Sequence, residues 1–223
     1  MSSIPRAKPS QNLFPSDFRR DPINLVPLTK KMVKKAARSL ALAFFNYPMI
    51  EYLFPKEKSR LKRSYHYFKG IINYGRLFGD AYAISQEAEG IIILLSSTMA
   101  HFPNKETLQS GIPLQFALSG VKFLLRTAIH EPHQYNIYKK NTNFPHNYFM
   151  LLGVHPEKQG SGYAKALISK LVDICDKESL PCYLETYLKK NVEIYKKFGF
   201  KVVEESEIPK TTIKFWGLLR QNR

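Results

Sequence analysis

Six residues, Gln159-Gly160-Ser161-Gly162-Tyr163-Ala164, stand between an apolar run that ends at Val154 and a helical apolar pattern that begins after Gly162. A helix start leaves backbone N–H groups without intrahelical partners, and the aligned peptide dipoles place partial positive charge there. Glycine at 160 and 162 removes the Cβ atoms that would hold a bulky anion away, so a phosphate or pyrophosphate can lie against bare backbone. The turn reads as a phosphate cradle. Its spacing is neither the dinucleotide G-x-G-x-x-G nor the G-x-x-x-x-G-K-[ST] of P-loop NTPases, which excludes both. On spacing alone, a glycine turn that binds nothing stands as an equal alternative.

The same six residues fit the Q/R-x-x-G-x-G/A signature of the GCN5-related N-acetyltransferases (GNAT), and Leu152-Gly153-Val154-His155-Pro156 resembles the strand that precedes it in that family. Downstream, Asn191-Val192-Glu193-Ile194-Tyr195-Lys196-Lys197-Phe198-Gly199-Phe200 is similar to the family's N-x-x-x-Y-x-x-x-G-F segment. The resemblance is strong from Tyr148 to Phe200 and weaker back to about Leu28. Over the strong stretch the chain resembles puromycin-type and other small-molecule acetyltransferases, in which a Y-L-E-T strand recurs.

The resemblance implies an α/β GNAT acyl-CoA N-acyltransferase fold, a mixed central sheet with splayed parallel strands and flanking helices. The splayed strands would end at Val154 and Glu185. Acetyl-CoA would be the acyl donor and a small-molecule primary amine the acceptor. Its pantetheine arm would pair with backbone at Leu152 and Val154, the Val154 N–H polarising the thioester carbonyl. Gln159, Gly160, Gly162, Tyr163, Ala164 and Asn191 would complete the cofactor site, with Lys158 and Lys165 assisting.

Acetyl transfer also needs a neutral amine and a proton for the departing thiolate. A phenol with a pKa near 10 is protonated at neutral pH and can donate as sulfur leaves, so the resemblance makes Tyr195 the general acid. A tyrosine on the apolar side of its helix, beside Val192 and Phe198, is also simply core. Glu185, its pKa raised by partial burial, is the candidate base, directly or through water. Water alone, His146 and His155 are the alternatives, although His155 at the turn reads as structural. No His or Cys pair has metal-ligand spacing, so no metal is expected. Cys182, in an apolar run where a thiolate is disfavoured, is not expected to carry an acyl group.

These residues need one sizeable core to position them, and 223 residues suit a single domain. The reading is an N-terminal arm or irregular lead-in over 1–27, rich in proline and serine, and one domain over 28–223. No apolar run approaches the roughly 20 residues of a membrane helix and no secretory h-region precedes the domain, so a soluble, cytoplasmic protein with no membrane partner is expected. Two cysteines do not make a disulfide framework. The net charge of +16 lies mainly in the first 70 residues, which hold 15 Lys or Arg against 4 Asp or Glu. Such a third either attracts polyanions, nucleic acid or the phosphates of coenzyme A, or is a solvated basic face. The first option gives the alternative function, a non-catalytic acyl-CoA-sensing or nucleic-acid-docking module.

Apolar residues at helical spacing predict a helix from Thr29, as N-cap, to about Phe45, and a second over 56–78. In similar acetyltransferases these wall the acceptor pocket, which makes Phe45, Tyr47 and Tyr74 candidate contacts or plain core. A hairpin over 81–95 has a continuous apolar second arm, expected to be a central strand covered on both faces. A helical segment over 105–130, broken near Gly111, precedes an expected surface loop from His133 to Pro145. Asn147 stands where many relatives carry tryptophan, which bears on acceptor preference. After the phosphate turn come a helix of about four turns, a parallel strand over 181–186, a short helix capped by Asn191, and strands at 200–203 and 213–219.

Overall fold

The computed structural model describes residues 25–221. The arm expected over 1–27 lies outside these residues except for its last part, where β1 (Val26–Pro27) pairs with β2 (Asp80–Ala83). The remaining strands are β3 (Gly90–Ser96), β4 (Asn147–Val154), β5 (Cys182–Thr186), β6 (Lys201–Glu207) and β7 (Lys214–Arg220). They form one sheet in the order β1-β2-β3-β4-β5-β7-β6, in which β4 and β5 are parallel and every other pair is antiparallel.

The continuous apolar run of β3 is explained by its position. Ile91, Ile93 and Leu95 join the core on one face of the sheet, while Ile92 and Leu94 join the core on the other. Successive side chains of a strand point to opposite faces, so a strand covered twice needs apolar residues at every position.

The first face is covered by α1 (Val33–Ala43), which follows a 3-10 turn at Lys30–Met32, and by α2 (Pro48–Leu53) and α3 (Glu57–Phe78). Ala36, Ala37, Leu40 and Ala41 are fully buried, and the lysines at 34 and 35 are exposed, as the helical spacing predicts. Thr29 occupies the N-cap position of the turn without a side-chain cap bond. Gly153 admits α1 close to β4: a Cβ there would lie 2.4 Å from Leu40 Cδ2. The opposite face is covered by α7 (Tyr163–Glu178), the crossover between β4 and β5, and by α8 (Lys189–Lys196).

Three helices connect β3 to β4. These are α4 (Asn104–Ser110), α5 (Ile112–Ser119) and α6 (Val121–Asn141), jointed at Gly111 (φ 75°) and Gly120 (φ 103°). The surface loop expected from His133 to Pro145 is therefore wrong for its first nine residues, which continue α6. Pro132 and the polar run after it conceal the helix in the sequence. Burial of Ile137 and Tyr138 supports it instead, the case in which tertiary packing overrides local propensity.

The sheet opens at its one parallel pair. β4 and β5 pair only from Asn147↔Cys182 to Phe149↔Leu184. At that point the register of β4 against β3 shifts: Leu94 faces Phe149 and Ile93 faces Leu151, so Met150 is an extra residue in β4. A bulge bends its strand and increases local twist, which turns β4 away from β5 beyond Phe149. At the end where β4 and β5 still pair, a half-buried ion pair braces the sheet: Arg220 Nη1 and Nη2 donate to Asp176 at 2.6 and 2.9 Å and Arg220 Nε donates to Phe198 O at 3.1 Å. That guanidinium ties β7 to α7 and to the end of α8.

Candidate active site

Past the bulge, the backbone of β4 is paired on one side only. His155 N–H donates to Glu89 O on the β3 side at 2.6 Å. By the alternation of a strand, Val154 and Leu152 turn their backbone groups the other way, where β5 no longer pairs. The Val154 carbonyl accepts a hydrogen bond from Gln159 Nε2 at 3.1 Å, which fixes the following turn to the strand end.

In that turn Gly160 (φ 84°) and Gly162 (φ 82°) both adopt the left-handed region that favours glycine. A Cβ on either would meet nothing within 4 Å, so the surface above them is open. Gly162 is the N-cap of α7, Tyr163 and Ala164 begin the helix, and no acid stands in its first turn. The arrangement can receive an anion on helix N–H groups. His155 belongs to this turn structurally, its Nδ1 accepting from Glu157 N–H at 3.4 Å.

A cavity of about 1020 Å³ extends from the gap into the first face of the protein. Its walls come from β4, β5 and α8 on the sheet side and from Phe44, just after α1, together with α2, α3, α4, α5 and α6 opposite. Glu185 and Tyr195 both line it. Aromatic and aliphatic side chains together make up most of its lining; Glu185 and Glu131 are its carboxylates, and among the described residues no Lys or Arg lines it. In a chain of net charge +16 this is a local reversal of sign.

Glu185 is held by three donors. Gln134 Nε2 and Tyr148 OH (3.2 Å) reach its Oε2, and Tyr183 OH reaches Oε1 at 3.2 Å. Burial raises its pKa to about 8, while the three hydrogen bonds oppose that rise by favouring the carboxylate. Near neutrality the group is therefore divided between its two forms. None of the three donors is predicted by the sequence analysis. Gln134 is hidden by the loop reading, and Tyr148 and Tyr183 look like ordinary strand aromatics.

Tyr195 sits on α8 with its ring edge-on to Phe149, centroids 5.7 Å apart. Burial, with Tyr47 and Cys182 nearby, pushes its pKa well above the ordinary value, so the phenol keeps its proton. Asn191 does not cap α8: Leu188 holds that position, and Asn191 N–H donates to Leu188 O at 3.0 Å from within the first turn. Its side-chain Nδ2 instead donates to Thr186 Oγ1 at 3.1 Å, at the mouth of the gap. Thr186 also bonds Tyr47 OH at 3.1 Å, and the Tyr187 N–H donates to Tyr47 at 2.9 Å.

The three aromatic acceptor candidates separate. Tyr47 lines the cavity, whereas Tyr74 is fully buried with its hydroxyl on Met99 O at 2.8 Å, and Phe45 lies under the Arg60 guanidinium. Asn147 does not line the cavity; its amide donates to Glu178 at 2.7 Å on the α7 side. His146 is buried between Tyr138 OH (2.8 Å) and Phe144 O (2.7 Å) and also stays out of the lining, which leaves Glu185 as the only one of the side-chain base candidates in the cavity. Cys182 is fully buried and burial raises its thiol pKa further, as its apolar setting predicts.

Residues 127–202 match the family model described as an acetyltransferase (GNAT) domain. The match identifies a GNAT acetyltransferase domain over that third of the chain. A Schizosaccharomyces pombe protein named as an uncharacterized N-acetyltransferase is 45% identical over 53 residues, a match that covers 24% of this chain and 22% of that protein. The chain thus spans about a fifth of that curated relative. Solved structures share the GNAT fold over nearly the whole chain. The histone acetyltransferase HPA2 and related acetyltransferase of Corynebacterium glutamicum superposes with a TM-score of 0.61 at 16% identity, covering 89% of this chain and 96% of that one. Arylalkylamine N-acetyltransferase 2 of Aedes aegypti gives 0.56 at 12% identity, covering 91% and 100%. The mixed sheet with splayed parallel strands is accordingly the GNAT sheet.

Coenzyme A fits the residues present on two observations. The open surface over two left-handed glycines at a helix start suits a pyrophosphate, and the unpaired β4 backbone at Leu152 and Val154 suits an amide-bearing arm.

Proposed function

We propose that this GNAT protein is an acetyl-CoA-dependent N-acetyltransferase that acetylates a small-molecule primary amine by direct attack. The observation that carries this reading is that Glu185 and Tyr195 face one cavity at the place where β4 and β5 part.

Bound acetyl-CoA supplies a thioester carbonyl and a thiolate leaving group. Glu185, as carboxylate, takes a proton from the acceptor ammonium and frees the lone pair that forms the new C–N bond. Backbone N–H at Val154 stabilises negative charge developing on the carbonyl oxygen without reorganising. As the C–S bond breaks, Tyr195 gives its phenolic proton to sulfur and is reprotonated from solvent. The aromatic walls exclude water and favour a cation with an apolar body, and the carboxylates add to that preference.

Release of free thiol from acetyl-CoA in the presence of a panel of primary amines tests the proposal. Turnover with at least one apolar amine, and its loss in Tyr195→Phe, is expected. No thiol release with any amine, together with no thermal shift on adding acetyl-CoA, would overturn it.

A further inference from the structure

The outer surfaces of α5 and α6 carry apolar side chains that the core does not use. Leu114, Val121 and Leu125 are 63%, 71% and 63% exposed, and Leu118 and Ile129 are exposed beside them. On α6 the residues Val121, Leu125 and Ile129 recur every fourth position and share one face. The inner faces of the same helices line the cavity through Ile112, Phe116 and Phe123. Leu124 does both, since it is 44% exposed and lines the cavity, so the apolar surface adjoins the cavity rim.

The charges of this surface have one sign. No Asp or Glu occurs from Thr107 to His130, where Lys122 and Arg126 are the formal charges. α3 packs against α5, and its stretch from Lys58 to Arg63 adds further cations with no acid; Arg63 Nη1 donates to Ser119 O at 3.4 Å, beside the joint at Gly120. Exposed large apolar side chains clustered on neighbouring helices in this way mark an interaction site. A second copy of the chain is a poor occupant, because it would bring the same cations face to face without an acid from this stretch to pair them. An anionic lipid surface supplies both what the leucines and what the lysines lack.

We infer that α5 and α6 dock this protein on an anionic bilayer surface, with Leu114, Leu118, Val121 and Leu125 among the acyl chains and Lys62 and Lys122 at the headgroup phosphates. No single helix among the described residues is long and apolar enough to cross a membrane, and α5 and α6 are bent by 113°. The contact inferred is a peripheral one, and it departs from the expectation of no membrane partner, which was drawn from the lack of a span. It does not depend on acetyl transfer.

Co-sedimentation of the full chain with phosphatidylcholine vesicles, with and without about a third phosphatidylserine, tests the inference. Binding to the anionic vesicles is expected, weakened at least tenfold in Leu118→Gln/Val121→Asn/Leu125→Gln and several-fold in Lys122→Glu. Val203→Asn, an exposed apolar position on β6, should bind as the parent does. Because every changed side chain is exposed, unchanged thermal unfolding is expected for all three variants. Absence of binding to anionic vesicles would overturn the inference. So would equal binding by the triple variant, which would reduce the effect to net charge, or a concentration-dependent dimer that the triple variant abolishes.

Discussion

The hydroxyl of Tyr183 occupies the space that a side chain at Gly217 would take: a Cβ on Gly217 would lie 2.6 Å from it. Gly217 pairs directly with Glu185 across β5 and β7, and Tyr183 OH donates to Glu185 Oε1. An absent side chain on one strand thus gives room to a hydrogen bond on the proposed base. Gly217→Ala is expected to displace the phenol and lose a donor to the carboxylate. The Glu185 pKa then rises further. Profiles of kcat/KM against pH should show the acidic limb moved upward in Gly217→Ala and equally in Tyr183→Phe, which removes the same bond without crowding.

With Glu185 titrating at about 8, the carboxylate form grows as pH rises toward that value. Activity should climb with pH and level off above about 8. Glu185→Gln should lower kcat/KM by about 10²-fold or more, the usual scale of positioned proton transfer, and remove that limb. The difference between the two profiles separates the carboxyl from the acceptor's own ionisation. Stability carries the opposite sign. A carboxyl whose folded pKa lies above its unfolded value of 4.5 destabilises the fold progressively as pH rises from there to about 8. Thermal melts should show Glu185→Gln gaining on the parent across that interval.

Tyr195 offers a cleaner separation of roles. No hydrogen bond contributes to its shifted pKa, which comes from burial and two neighbouring groups. Tyr195→Phe keeps the edge-on contact with Phe149 and should melt within a degree or two of the parent. A fall in kcat of about 10²-fold with KM for acetyl-CoA nearly unchanged is expected, the pattern of an interaction made in the transition state. An unchanged kcat would remove Tyr195 from the chemistry.

The glycine cradle predicts a binding defect in place of a folding defect. Because no protein atom lies within 4 Å of a Cβ at Gly162, a side chain there meets only the backbone strain of φ 82°, about 1 kcal/mol. Gly162→Asn, a residue that tolerates the left-handed region, should therefore fold with a modestly lower Tm. Calorimetric titration with coenzyme A should show at least a tenfold weaker Kd, since the added atoms stand where the anion would approach. An equal Kd in the variant would place the pyrophosphate elsewhere.

Sequence periodicity was sufficient for the two-sided strand β3, the α1 stripe and the four-turn helix α7, because each buries a regular set of positions against one or two layers. The turn at Gly160 and Gly162 was legible for a related reason: its backbone conformation admits few residue types. What stayed hidden was lateral. Gln134 reaches Glu185 from a helix 51 residues earlier in the chain, and nothing local distinguishes it from the tyrosines, asparagines and lysines around it. Asn191 looked like a cap because its residue type favours that position, and a partner across the gap at Thr186 claimed its side chain. The Met150 bulge leaves no mark in composition at all, although it opens the sheet.

Ser96 at the end of β3 and Asn147 at the start of β4 are direct partners in the ladder, yet the whole of α4, α5 and α6 lies between them in the chain. This part of the cavity wall is thus a closed excursion whose two ends are clamped together by sheet hydrogen bonds. Closure entropy grows only logarithmically with length, about 0.6 kcal/mol for each doubling. Insertions or deletions in this excursion that keep Gln134 on Glu185 can accordingly reshape the chamber without moving the register of β4. On the proposed function, acceptor selectivity would reside in the segment most free to diverge, and proton transfer in the segment least free.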